Sequence, residues 1–336
     1  MKYHKIKYCL KSLFHTEYEF IGKDSIRMGT RVHKIIIWGM GYGYSQYINF
    51  LKYQELLEEI EVVGVTDKLA LYDSLDGYQY IPSSRIKEYA YDYIVVTSDK
   101  NLCSIIEDGV NLGLARASFI PARVFSICNF RFSKYVRLKQ NPVSLIANNC
   151  WGGIVYHVLG LEFCSPFINM FENDIHYLKL LSDLKYYLNK ELEFVKLGLN
   201  QALKREYPIC KLGDVELHFN HYSNMKDVET KWYKRIEKIN WDNIFVMMYT
   251  LDPRVAFEFD KLEYDKKICF VPFKSSLNSA YYLKMSGRDE LKDIPFWEIV
   301  NKTASGHYHD YALLELLLTG KVSETRFLDI EERKGI

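Results

Sequence analysis

Proline is scarce, at 8 of 336 residues, which argues against long, stiff linkers. Net charge is almost absent. The 44 Lys and Arg against 43 Asp and Glu leave a formal +1, so no global field recruits nucleic acid or an anionic membrane. No apolar run approaches the ~20 residues that span a bilayer. The basic start, Met1 to Leu10, lacks a long apolar stretch and a small-residue cleavage site. Seven cysteines at 9, 103, 128, 150, 164, 210 and 269 form no CxxC pair. An odd, scattered set without a secretory leader reads as reduced thiols, and the expected location is the cytoplasm. No Asp-x-Asp pair for a metal-bound diphosphate occurs, and the chain has no internal repeat or low-complexity tract.

The remainder is that of an ordinary globular chain: 48% apolar and 26% charged, with a generous 27 Tyr and 19 Phe. Its length predicts two domains. Residues 1–30 read as a helical arm, with Ile6, Leu10, Leu13 and Phe14 at helical spacing. From 31 to 135, buried-strand runs (34–38, 61–66, 93–97, 117–120) alternate with helical stretches (44–59, 102–114). That alternation predicts a parallel sheet with helices on both faces. The basic segment 129–142, with Arg131, Lys134, Arg137 and Lys139, reads as a linker. Residues 142–336 then read as a second α/β domain with a mixed sheet. Strands are expected at 143–147, 214–219, 243–249 and 267–272. Helices are expected at 151–160, as a long pair over 172–205, and at 226–238 and 308–319.

In the first domain Gly39-x-Gly41-x-Gly43 follows a strand and opens a helix, the context that gives such a turn meaning. The first glycine suits a tight turn, and the second lets backbone approach a phosphate at a helix N-terminus. Asp67 ends the next strand where a ribose-hydroxyl acceptor is expected. Tyr44 stands where a dinucleotide fingerprint has a small residue, so the expected ligand is a nucleotide or nucleotide-sugar rather than a redox cofactor. The bland alternative is that the glycines only turn the chain.

In the second domain, Ser144 to Ala147 leads into Asn148-Asn149-Cys150-Trp151-Gly152-Gly153 and then a helix. A strand that breaks into a polar glycine-bearing turn presents groups at a sheet's carboxyl edge. Asn148, Asn149, Trp151 and Gly152 are the expected sugar contacts, though an amide here also serves as a helix cap. Cys150 at a helix start could have a lowered pKa and act as a nucleophile, or could be packed core. Asp214, Glu216 and His218 share one strand face, with His221 just beyond. Asp214, His218 and His221 are the candidate acid–base groups, and a solvated strand face is the alternative. Lys231 and Arg235 lie on a helical stripe suited to a diphosphate, with Trp241 and Asp242 following. Such stripes are also common as solvated faces. His307 and His309 form a looser polar group. No metal site is expected, since thiolates and histidines lack ligand spacing.

The segments Lys34–Gly43, Val63–Asp67 and Tyr91–Val96 resemble the small Rossmann-like domain found beside bacterial sugar-modifying enzymes. The motifs at 148–153, 159–161, 165–169, 214–222, 231–232 and 240–243 resemble a bacterial family of uncharacterised proteins often labelled exopolysaccharide biosynthesis proteins. The resemblance covers about 142–275 and implies surface-polysaccharide assembly without implying a reaction. The function expected is therefore a sugar transferase acting on a nucleotide-activated or lipid-linked sugar, without nucleic acid as partner. Two alternatives stand beside it: a thiol hydrolase or acyltransferase using Cys150, His218 and Asp214, and a non-catalytic nucleotide-sugar sensor or assembly factor.

Overall fold

The computed structural model describes residues 31–68, 73–201, 204–284, 293–305 and 311–322. The expected arm at 1–30, and His307 and His309, lie outside them. Four parallel strands, β1 (His33–Trp38), β2 (Ile60–Thr66), β5 (Tyr93–Val96) and β6 (Phe119–Pro121), form a sheet ordered β2-β1-β5-β6. A small hairpin, β3 (Ser74–Leu75) with β4 (Tyr78–Gln79), lies between β2 and β5 in sequence. Apolar residues run without a break from Ile35 to Trp38 of β1, so both faces of the sheet are buried there. Ile35 and Ile37 enter one core with helix α1 (Tyr42–Leu56), while Ile36 and Trp38 enter another with helix α2 (Leu102–Asn111). This is the α/β alternation expected of the first unit.

The segment 129–142 is not a linker. It holds helix α3 (Phe132–Gln140), whose Phe132, Tyr135, Val136 and Leu138 are buried. Phe132 stacks on Phe125 at 5.5 Å, and Tyr135 Oη donates to the Leu159 carbonyl at 2.8 Å. The basic residues that suggested a linker lie between these apolar positions. The helix wedges together the two halves of one continuous core, in which Ile35 and Ile37 share a cluster with Leu145 and Ala147.

Strand β7 (Ser144–Ala147) and helix α4 (Trp151–Leu159) stand where expected. The expected long helix pair does not form. Helices α5 (Asp174–Ser182) and α6 (Leu184–Leu188) are short, and Asn173 and Asp183 cap them by accepting from His176 N and Tyr186 N. The chain then turns into β8 (Leu192–Asn200), β9 (Arg205–Leu212) and β10 (Val215–His218), an antiparallel sheet ordered β10-β9-β8. Gly198 fixes this pairing, because a Cβ there would fall 2.6 Å from the Tyr207 ring.

Helix α7 (Met225–Ile236), strand β11 (Ile244–Tyr249), helix α8 (Pro253–Asp260), β12 (Lys267–Val271) and β13 (Ala280–Tyr282) follow. With β7 these strands make a second parallel sheet, ordered β13-β12-β11-β7. The second unit thus holds parallel and antiparallel strands, divided between two sheets. Helices α9 (Phe296–Ala304) and α10 (Leu313–Thr319) pack on the shared core. Among the described residues no helix is long and apolar enough to cross a membrane.

Candidate functional site

The glycine turn opens a crevice of about 580 Å³ lined by Gly39, Gly41, Gly43, Asp67, Thr97 and Asp99, among others. It lies at the carboxyl ends of β1 and β5, where the strand order reverses on either side of β1. In doubly wound sheets ligands bind at this point. Gly39 takes φ +115°, and Gly43 lets α1 approach the end of β5, since a Cβ there would fall 2.1 Å from the Thr97 carbonyl oxygen. Gly41 differs from both: a Cβ there meets nothing within 4 Å.

Asp67 is already engaged. Its oxygens accept from the N–H groups of Met40 and Lys68, each at 2.7 Å. It therefore fastens the glycine turn, and about two of a carboxylate's four lone-pair directions remain for a ligand. Asp99, on the same crevice, accepts from Tyr47 Oη at 2.7 Å and from Arg123 Nη1 at 2.8 Å. Burial, with Asp99 adding to it, pushes the Tyr47 hydroxyl up to about 12. Arg123 Nη2 donates to the His157 carbonyl at 2.9 Å, so the crevice rim is tied to the last turn of α4.

A second polar region lies at the other end of α4, at the carboxyl edge of the second sheet. Asn148 clamps two strand ends: its Nδ2 donates to the Tyr249 carbonyl at 3.0 Å and its Oδ1 accepts from Tyr249 N–H at 3.1 Å. Asn149 Oδ1 accepts from Trp151 N–H at 2.9 Å, while its Nδ2 is buried without a partner. Trp151 is fully buried and donates through Nε1 to Tyr311 Oη at 3.1 Å, so the indole is core and not a sugar platform. Gly152 faces Leu145 and Ala147 of β7 rather than a crevice. Burial, followed by the nearby Glu172, pushes the Cys150 thiol up to about 11. The lowering expected from the helix start is outweighed by desolvation.

The strand-face group assembles differently from the sequence expectation. Asp214 sits in the turn before β10, bonded to Lys179 and to Tyr187 Oη. At about 3.4 Å per residue it lies some 14 Å from His218. Glu216 takes its place: its Oε1 is 2.9 Å from His218 Nε2, and Tyr207 Oη is 3.1 Å from Nδ1. The His218 ring stacks on Phe171 at 4.5 Å. No hydrogen bond or ion pair joins it to Cys150 among the described residues, and His221 lies exposed past the strand.

On α7, Lys231 pairs with Asp227 at 2.7 Å, and Arg235 Nη1 donates to Tyr222 Oη at 2.6 Å. The expected diphosphate clamp is thus occupied by internal partners. Trp241 is partly exposed at the start of β11 with Lys185 Nζ 5.1 Å over its ring, and Asp242 stands beside it in the same turn. Both lie at the amino edge of the second sheet, away from Asn148.

Three residues were not singled out from the sequence. Asp174, Tyr249 and Thr250 line a crevice of about 710 Å³ at the end of β11, and Thr250 Oγ1 donates to Asp174 Oδ2 at 2.6 Å. Burial raises the Asp174 carboxyl, partly offset by Thr250. The carboxyl-edge rule applied to the expected strand 243–249 points to this loop. Glu172, two residues before Asp174, is buried, with both oxygens unpartnered. Among the described residues no three His, Cys, Asp or Glu side chains are placed to hold a metal ion.

Comparison with known proteins gives two family matches. Residues 122–316 match the model described as Domain of unknown function (DUF1919), and residues 31–120 match C2185-like, N-terminal. An uncharacterized protein of Haemophilus influenzae is 32% identical over 153 residues, covering 44% of this chain and 71% of that protein.

Proposed function

Since the chain belongs to the family described as Domain of unknown function (DUF1919), a description that assigns no chemistry, we propose its function from the geometry of its two crevices. The protein is a surface-polysaccharide biosynthesis protein acting on a nucleotide-activated or lipid-linked sugar, as a sugar transferase in the cytoplasm. The observation that carries this reading is the glycine crevice. It sits at the point of strand-order reversal, Gly41 leaves its floor open, and Asp67 keeps acceptor capacity there. These are the requirements of a phosphate-bearing nucleotide ligand.

The thiol alternative loses support. A thiol pushed up to about 11 is almost wholly protonated at neutral pH, and among the described residues no histidine is hydrogen-bonded to it. The raised carboxyl of Asp174, in the second crevice, is a better-placed acid–base group for a hydroxyl acceptor.

Thermal shift of the full chain with UDP, UDP-glucose, GDP-mannose and NAD tests the reading. A nucleotide or nucleotide-sugar at ~100 times its Kd adds about 2.7 kcal/mol of stability. Gly41→Val should abolish that shift while costing the unliganded protein about 1 kcal/mol, the scale of a helix-cap change. Stabilisation by NAD alone, or by none of the four, rejects it.

One observation favours the sensor alternative. Arg123 joins Asp99 of the crevice to His157 at the far end of the helix that begins at Cys150. If crevice occupancy serves only to signal through α4, Arg123→Met leaves nucleotide affinity intact and removes any ligand-dependent protection of α4 from hydrogen exchange.

A further inference from the structure

Glu172 is 4% exposed, and neither of its carboxyl oxygens has a hydrogen-bond partner. Asn149, also 4% exposed, spends Oδ1 on the start of α4 and leaves Nδ2 without a partner. Buried polar groups in folded proteins are nearly always bonded, and an orphan calls for an explanation. Here the orphans fall on chain segments that touch. Glu172 N–H donates to the Asn148 carbonyl at 3.4 Å, one residue from Asn149.

The backbone holds Glu172 in this position. Its neighbour Phe171 exchanges two main-chain hydrogen bonds with His218, at 3.0 and 3.1 Å, and its ring stacks on the histidine. The segment is thus pinned between β10 on one side and β7 on the other. These main-chain bonds fix where the Glu172 side chain starts, inside the protein. Burial alone holds its carboxyl well above the ordinary carboxylate range.

We propose that Glu172 and Asn149 form a binding site for an uncharged, hydroxyl-bearing ligand group such as a sugar-ring hydroxyl, with Glu172 two residues along the chain from Asp174 of the second crevice. A protonated carboxyl offers one donor and one acceptor, and Asn149 Nδ2 offers donors. A hydroxyl both accepts and donates, so it satisfies this set. A phosphate is less well served: among the described residues Arg254 of the crevice pairs with Asp252, and Lys231 and Arg235 are engaged with Asp227 and Tyr222. A metal ion lacks a third ligand among the described residues.

The inference deepens the sugar-handling part of the proposed function but stands apart from the nucleotide crevice. From Cys150 to His157, α4 separates the two by seven residues, about 10 Å.

Saturation-transfer NMR on the full chain with free glucose, galactose and N-acetylglucosamine tests it. At least one sugar should bind the wild type. Glu172→Leu should weaken that binding roughly five- to tenfold, as expected for lost hydrogen bonds, and Glu172→Gln should weaken it less. Asn149→Ser keeps an acceptor for Trp151 N–H but removes Nδ2, and should also weaken binding, which covers the case in which Glu172→Leu does not fold. Absence of any sugar signal, or signals unchanged in all three variants, overturns the proposal. So does Mn²⁺ binding to the wild type that Glu172→Gln removes. Sugar binding without a UDP shift leaves this site standing and sinks the nucleotide reading; a UDP shift without sugar binding does the reverse.

Discussion

His218 Nε2 lies 2.9 Å from Glu216 Oε1, two residues back on the same face of β10, while Asp214 is turned away toward Lys179. Burial depresses the His218 imidazole below its ordinary 6.5, and Glu216 opposes that effect. Glu216→Gln should therefore lower the His218 pKa further, as read by NMR titration of its ring protons. The sign for stability follows. A neutral buried histidine contributes stability that is present above 6.5 and lost as pH falls through the folded-state value. The variant should lose more stability than the wild type between pH 6.5 and the acid side. An unchanged titration would mean that the Glu216 contact does not persist in solution.

Two glycines of the turn, Gly41 and Gly43, should respond unequally. Gly43→Ala drives a methyl against the Thr97 carbonyl oxygen, where the backbone of β5 cannot yield without shifting. A loss of roughly 1–3 kcal/mol is expected, typical of overpacking. Gly41→Ala meets open space at φ −88° and should cost at most about 1 kcal/mol, the scale of a helix-cap change. Chemical denaturation of both variants checks the order. Equal losses would mean that the turn is not held against β5 as described.

Cys150 should be the slow thiol. Desolvation pushes it up to about 11, so its thiolate fraction at neutral pH is on the order of 10⁻⁴. Cys103 is exposed and serves as the internal reference. Timed alkylation with iodoacetamide, read by mass spectrometry of the peptides, should modify Cys103 well before Cys150. The reverse order would restore the thiol mechanism.

The first sheet was legible because its strands carry apolar runs such as Ile35 to Trp38 and Tyr93 to Val96, and because Gly39, Gly41 and Gly43 stand at a strand end. The crevice followed from the same pattern. By contrast, α3 was hidden by Arg131, Lys134, Arg137 and Lys139, whose charges masked the helical spacing of Phe132, Tyr135 and Val136. The β8–β9 hairpin was hidden because Leu192 to Leu199 mixes apolar residues with Glu193 and Lys196 without a clean period, and its ladder from Leu192–Leu212 to Asn200–Arg205 forms between two strands with no marked turn signal. Cys150 drew notice for its chemistry, but its environment is set by burial and then by Glu172, which reads in sequence as an ordinary loop acid. Nothing local marks Glu172 as buried. Its enclosure comes from pairing with β7 and β10, each distant along the chain.

That enclosure makes Glu172 a source of instability in the unliganded protein. Its carboxyl is raised in the folded state above the ordinary 4.5. A group raised in this way contributes stability that is fully present below 4.5 and lost as pH rises through the folded-state value. The wild type should therefore weaken on going from pH 4.5 toward neutrality by more than its other groups explain. Glu172→Gln removes the titration while keeping shape and hydrogen-bonding capacity. It should flatten this part of the stability curve and raise the melting temperature at pH 7, because the unfolded chain no longer gains a carboxylate there. Thermal denaturation of both proteins across the range measures the difference directly. A parallel displacement of the two curves, with no change in slope, would mean that Glu172 does not titrate between the folded and unfolded states. If the slope changes as expected, the chain retains a destabilising carboxyl that glutamine would relieve. Such a residue is kept at a cost in stability when a ligand supplies the missing hydrogen bonds.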